Sequence, residues 1–138
     1  MKIKISQQEM HYMAIAEGLT RAPIIDCIER DNRITFIVAK GKLGKAVGKE
    51  ASNIKKLEKF FKKEVRFVEY DEDKKQFVIN LFKPFKVDRV VIDEEKNKVS
   101  VVVNERDKGK AIGKEGRNIK ILREIAKRQH GINELKVL

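Results

Sequence analysis

Cysteine is almost missing from this chain. Cys27 is the only one in 138 residues, so an intrachain disulfide is excluded. With Ile24, Ile25 and Ile28 around it, Cys27 reads as a small apolar packing residue. Histidine is nearly as scarce. His11 and His130 stand apart, and no Cys/His cluster has metal-ligand spacing, so neither a metal nor a cofactor is expected. No apolar run approaches the length that spans a bilayer. The start, Met1-Lys2-Ile3-Lys4-Ile5, lacks the apolar core of a signal peptide. These absences lead to the expectation of a soluble, cytoplasmic protein with no membrane partner. Negative charge is also in the minority, with 21 Asp/Glu against 32 Lys/Arg and a net charge of +11.

The basic excess is not a tail. Residues 1–70 hold 15 Lys/Arg and 9 Asp/Glu, and residues 71–138 hold 17 and 12. Both halves are therefore positive, which makes nucleic acid the leading partner class. Hydrophobic residues make up 41% and charged residues 38%, so a folded chain with a heavily charged surface is expected.

One stretch organises the rest. Lys110-Ala111-Ile112-Gly113-Lys114-Glu115-Gly116-Arg117-Asn118-Ile119 sets two glycines around two polar residues, after an apolar pair and before an apolar periodic run. Glycine permits tight turns and close approach by another molecule. A helix beginning just after such a loop offers unpaired N–H groups and a positive dipole end. Lys114 and Arg117 add full charges. The same stretch occurs 65 residues earlier. Gly44 to Ile54 aligns without gaps to Gly109 to Ile119, with eight of eleven positions identical. Ala51 stands for Gly116 and Ser52 for Arg117. An internal repeat of this period indicates two small units.

The order of elements repeats too. Ser6-Gln7-Gln8-Glu9 reads as a capping box opening a helix with Met10, Met13, Ala14 and Glu17 on one stripe and Gly18 as its stop. Ile24 to Glu29 and Ile34 to Ala39 read as a hairpin turning at Arg30 to Arg33. Lys40 to Val47 reads as a short helix and Gly48 to Ala51 as a loop. A helix with Ile54, Leu57, Phe60 and Phe61 on its apolar side follows, and Val65 to Tyr70 closes the unit as a strand. A further edge strand is expected at Lys2 to Ile5. In the second unit Asp71-Glu72-Asp73 begins a helix bearing Phe77, Val78, Leu81 and Phe82, which ends before Pro84. Phe85 to Ile92 and Lys98 to Val103 form its hairpin. Ile119, Leu122, Ile125 and Ala126 form the stripe of its last helix, and Ile132 to Leu138 its last strand. The junction near Tyr70 has no Gly, Pro or Ser run and does not read as a flexible tether.

These loops resemble the GXXG loop of the KH domain, which clamps single-stranded nucleic acid. The twice-repeated order matches the prokaryotic, type II, KH arrangement. The expected fold is therefore α+β, with two tandem type II KH domains, each α-β-β-α-α-β, over residues 1–70 and 71–138, packed as a rigid pair. Two such units resemble the KH pair of the NusA transcription factors, most closely the short archaeal-type members. The resemblance covers essentially the whole chain. It implies single-stranded RNA as partner and a role in termination or antitermination of transcription. RNA polymerase or another part of the transcription complex is a further candidate partner. A ribosome-associated KH protein acting in translation or assembly is the alternative. Lys45, Lys49, Lys110, Lys114 and Arg117 are the candidate phosphate contacts. Gly48 and Ala51, with Gly113, Glu115 and Gly116, complete the two loop sites.

Several points stay open on the residues alone. Ala51 is strained if its position needs positive φ, and suitable if only a small side chain is needed. Glu50 and Glu115 are expected to point away from phosphate or to complement the following helix. Ile54 and Ile119 are expected in the core rather than at a groove edge. Asn53 and Asn118 recur at one repeat position, for capping or for a backbone contact. No aromatic stacking platform is evident, and Phe36 as the single aromatic of its strand argues against an RRM sheet. A Walker A reading fails, because three residues rather than four separate Gly44 from Gly48 and Glu50 follows Lys49. No catalytic residue and no small-molecule substrate are expected.

Overall fold

The computed structural model describes residues 5–138. The chain divides into two compact units, one closing at Asp71 and the next opening at Glu72. The edge strand expected at Lys2 to Ile5 lies outside the described residues, Ile5 apart.

In the first unit, helix α1 spans Gln7–Thr20. Its capping box is complete: the Glu9 N–H donates to Ser6 Oγ at 3.0 Å and the Ser6 N–H donates to Glu9 Oε1 at 3.1 Å. Two expectations about this helix fail. It runs past Gly18 and stops where Arg21 turns left-handed, its N–H donating to the Glu17 carbonyl at 2.8 Å. Its buried face is Glu9, Tyr12, Ala16 and Thr20, while Met10 and Ala14 are exposed. Polar atoms on that face are satisfied inside the unit. Glu9 accepts from the Glu29 N–H at 2.7 Å, and Thr20 Oγ1 donates to the Ala16 carbonyl at 2.7 Å. Burial of such groups costs little once they are bonded.

Strands β1, Ile24–Arg30, and β2, Arg33–Val38, form an antiparallel hairpin. The connection is Asp31-Asn32, both at positive φ, the two-residue turn whose twist matches the strands it joins. Helix α2, Leu43–Val47, a 3-10 turn at Lys49–Ala51 and helix α3, Ser52–Phe61, cross over to β3, Glu64–Glu69. β3 lies parallel to β2, Arg33 facing Glu64 at one end and Val38 facing Glu69 at the other. A parallel pair needs such a long helical crossover. Ile34, Phe36, Val38, Val65 and Phe67 from the sheet meet Tyr12, Ala16, Ala46 and Leu57 from the helices in one core. Phe60, expected on the apolar side of α3, is exposed instead.

The second unit repeats the order. Helix α4 spans Lys74–Phe82, β4 Val87–Asp93, β5 Lys98–Val103, α5 Glu105–Ile112, α6 Arg117–His130 and β6 Glu134–Val137. A 3-10 turn at Lys114–Gly116 joins α5 to α6. β5 is again central, antiparallel to β4 and parallel to β6. The acidic run does not supply the first turn of α4, as expected, but precedes it. Asp73 caps it by accepting from the Gln76 N–H at 3.1 Å, and Asp71 is buried and paired with Lys40 at 3.5 Å. The stripe on α6 is as expected, with Ile119, Leu122, Ile125 and Ala126 all buried, and Ile121 joins it. Among the described residues no helix is long and apolar enough to cross a membrane.

Candidate nucleic-acid interface

The two loops have one backbone. The first glycine has φ 78°, ψ 166° at Gly48 and φ 83°, ψ 163° at Gly113. That region is essentially closed to every other residue. Space is closed as well. A Cβ on Gly113 would stand 2.8 Å from the Asn118 backbone nitrogen and 2.9 Å from its Cβ. On Gly48 it would stand 2.8 Å from Ser52 Oγ. The glutamates follow in the left-handed region, Glu50 at φ 54° and Glu115 at φ 56°. The fourth position is left-handed too, Gly116 at φ 74° and Ala51 at φ 59°. This answers the open point about Ala51. The position does require positive φ, and alanine takes it at a cost of about 1–2 kcal/mol relative to its right-handed preference. A Cβ at Gly116 would meet nothing closer than 3.7 Å, so only the backbone conformation, not crowding, disfavours a side chain there.

The paired asparagines hold these loops closed. Asn118 Nδ2 donates to the Ala111 carbonyl at 2.7 Å, and Asn53 Nδ2 donates to the Lys45 carbonyl at 3.2 Å. Each ties the first turn of the long helix to the short helix before the loop. Asn118 is buried, Asn53 only half-buried. The recurrence of asparagine thus reflects a backbone contact that fixes the loop's width.

Both long helices open without a side-chain cap. Ala51 before α3 and Gly116 before α6 offer no oxygen to the first N–H groups. An uncapped N-terminus keeps its donors and its positive end for an outside anion. Lys45 and Lys49 flank the first loop and Lys110, Lys114 and Arg117 the second. All five are exposed, and none of their side chains makes an ion pair or hydrogen bond with a described residue. Glu50 and Glu115 are equally exposed and make no cap bond to the helix they precede. Ile119 is buried, and Ile54 is partly buried against the core of the first unit, as expected of core residues.

The two loops thus repeat one backbone geometry in two successive units. A family model described as the NusA-like second KH domain matches residues 74–136, and a KH domain model matches residues 11–82. The chain is 32% identical over 139 residues to the probable transcription termination protein NusA of Methanocaldococcus jannaschii, covering 99% of this chain and 76% of that one. It belongs to the NusA-like KH family. The probable transcription termination protein NusA of Methanococcus vannielii is 34% identical over 140 residues, covering 100% and 81%. The crystal structure of APE1850 superposes with a TM-score of 0.79 at 31% identity, covering 97% of this chain and 100% of that one. The fold of this NusA-like chain is thus two KH domains in tandem, each with a three-stranded sheet.

Proposed function

We propose that this NusA-like chain binds single-stranded RNA across its two loops and acts in termination or antitermination of transcription. The observation that carries the reading is the repeated loop backbone. In each unit a glycine in a glycine-only conformation is closed over by an asparagine, and the loop leads into an uncapped helix beside cations whose side chains have no partner among the described residues. A phosphodiester crossing Gly113 to Gly116 meets backbone rather than side chain. Lys110, Lys114 and Arg117 then supply charge from its two sides. Gly48 to Ala51 acts in the same way with Lys45 and Lys49. Glu115 and Glu50 are left-handed and form no ion pair with a described residue, and in the bound state they sit away from the phosphates.

The name shared by the relatives supports the transcriptional role, with RNA polymerase or its transcript complex as the setting. The decisive measurement is competition binding between matched single-stranded and duplex RNA. Single strands are expected to bind tighter, because unstacked bases fit beside such a loop and a paired helix does not. Equal or tighter duplex binding would overturn the reading.

A further inference from the structure

Phe60 is more exposed than any other large apolar side chain of the described residues, at 67%. Nothing in the helix demands this. At the aligned positions of α6, Lys56 becomes Ile121 and Phe60 becomes Ile125, and both isoleucines are buried. The first unit has an open, basic and aromatic helix face where the second has a closed apolar one.

That face continues from the loop. Ser52, Lys56 and Phe60 stand four residues apart, so they lie along one side of α3. Ser52 is the residue directly after Ala51. The eight steps from Ser52 to Phe60 rise about 12 Å, on the order of three to four nucleotides of stacked strand. Lys55 and Lys59 line the neighbouring side, and Lys62 follows as the left-handed residue that ends the helix. The side chains of these three and of Lys56 make no ion pair or hydrogen bond with a described residue. Lys63 differs, being held by Glu29 at 2.9 Å and Asn32 at 3.1 Å. Glu58, the acidic residue of α3, is turned to the chain, accepting from the Val65 N–H at 3.0 Å.

The ring itself has an aromatic neighbour. It meets Phe61 edge-on with centroids 5.5 Å apart, and Phe61 meets Tyr12 edge-on at 4.9 Å. The ring thus has an aromatic neighbour while most of its surface is open to solvent. An exposed aromatic among lysines whose side chains have no partner among the described residues fits a ligand that is flat and apolar at one end and anionic at the other. Single-stranded nucleic acid has that chemistry, because every base has a face to stack and every link a phosphate.

We propose that this face of α3 is a further RNA subsite, with a base stacked on Phe60 and phosphates beside Lys56 and Lys59. It deepens the RNA-binding reading above and rests on it. The chain contains no tryptophan, so Phe60→Trp installs a single fluorophore at the site. Single-stranded RNA of about ten nucleotides is expected to quench it saturably, while the same RNA leaves Val91→Trp, on exposed β4, unquenched. Phe60→Ala should weaken binding of that RNA about 5- to 150-fold, the range of one lost stack. It should leave an oligomer of about four nucleotides, enough for a loop alone, unaffected. Thermal unfolding of Phe60→Ala should match the parent, since the ring is exposed. RNA binding by the parent with no effect of Phe60→Ala and no quenching overturns the subsite and leaves the loop reading intact. No RNA binding by the parent at all overturns both. Unchanged RNA affinity with loss of an associated acidic protein would reassign the face to a protein.

Discussion

At the residue scale, the two loop glycines are not alike, and the difference sorts their substitutions. Gly113 is fixed twice, by a conformation closed to side chains and by Asn118 at under 3 Å from any added Cβ. Gly116 is fixed only by positive φ. Gly113→Ala should therefore destabilise its unit by at least about 2 kcal/mol, since a backbone nitrogen has to move. Gly116→Ala should cost about 0.5–1 kcal/mol, the left-handed penalty less the entropy that alanine removes from the unfolded chain. The reverse change, Ala51→Gly, should stabilise by a similar about 0.5–1 kcal/mol. Thermal unfolding of the three variants checks the order, and an Ala51→Gly variant less stable than the parent would contradict it. The residues were legible as a motif, yet the sequence left two alternatives for Ala51. Only a dihedral angle separates the need for positive φ from the need for a small side chain.

At the element scale, each loop is a short helix and a long helix joined by an asparagine. The stronger clasp is in the second unit, where Asn118 is buried and bonds at 2.7 Å; Asn53 bonds at 3.2 Å nearer the solvent. Asn118→Ala strands a buried carbonyl and should cost about 1–3 kcal/mol, and Asn53→Ala less than about 1 kcal/mol. Asn118→Ala should also weaken RNA binding while the protein remains folded, because the gap between α5 and α6 is no longer held. Denaturant unfolding and RNA titration of both variants test this, and equal costs at the two sites would count against it. Element order was readable because caps, turn pairs and apolar stripes are local signals: Ser6 with Glu9, Asp31-Asn32, and the α6 stripe. The buried face of α1 was not. It is built from Glu9, Tyr12 and Thr20, whose polar atoms find partners on other turns and strands, and hydropathy spacing does not see partners. Phe60 failed for the converse reason: spacing places a ring on a side of a helix but not whether anything covers it.

At the scale of the whole molecule, the charge is shared between the units while its placement at the loops is not. The second loop has Lys110, Lys114 and Arg117; the first has Lys45 and Lys49, with Ser52 where the arginine would be. Phosphate contacts release counterions, and for single strands the logarithm of affinity falls with the logarithm of salt at about 0.7 per contacted phosphate. Replacing Lys114 and Arg117 together by alanine should therefore flatten the slope by about 1.4, and replacing Lys49 alone by about 0.7. The affinity loss should follow the same ranking, with the second loop dominant. The ranking is best read from a matched pair, Lys49→Asp with Ala51→Asp against Lys114→Asp with Gly116→Asp, titrated with one single-stranded RNA at several salt concentrations. Aspartate tolerates left-handed backbone better than most residues, so both pairs should remain folded, which their melting curves would verify. A larger loss from the first pair would mean that the first unit, with its open α3 face, leads in binding and that the loop charges do not set the order.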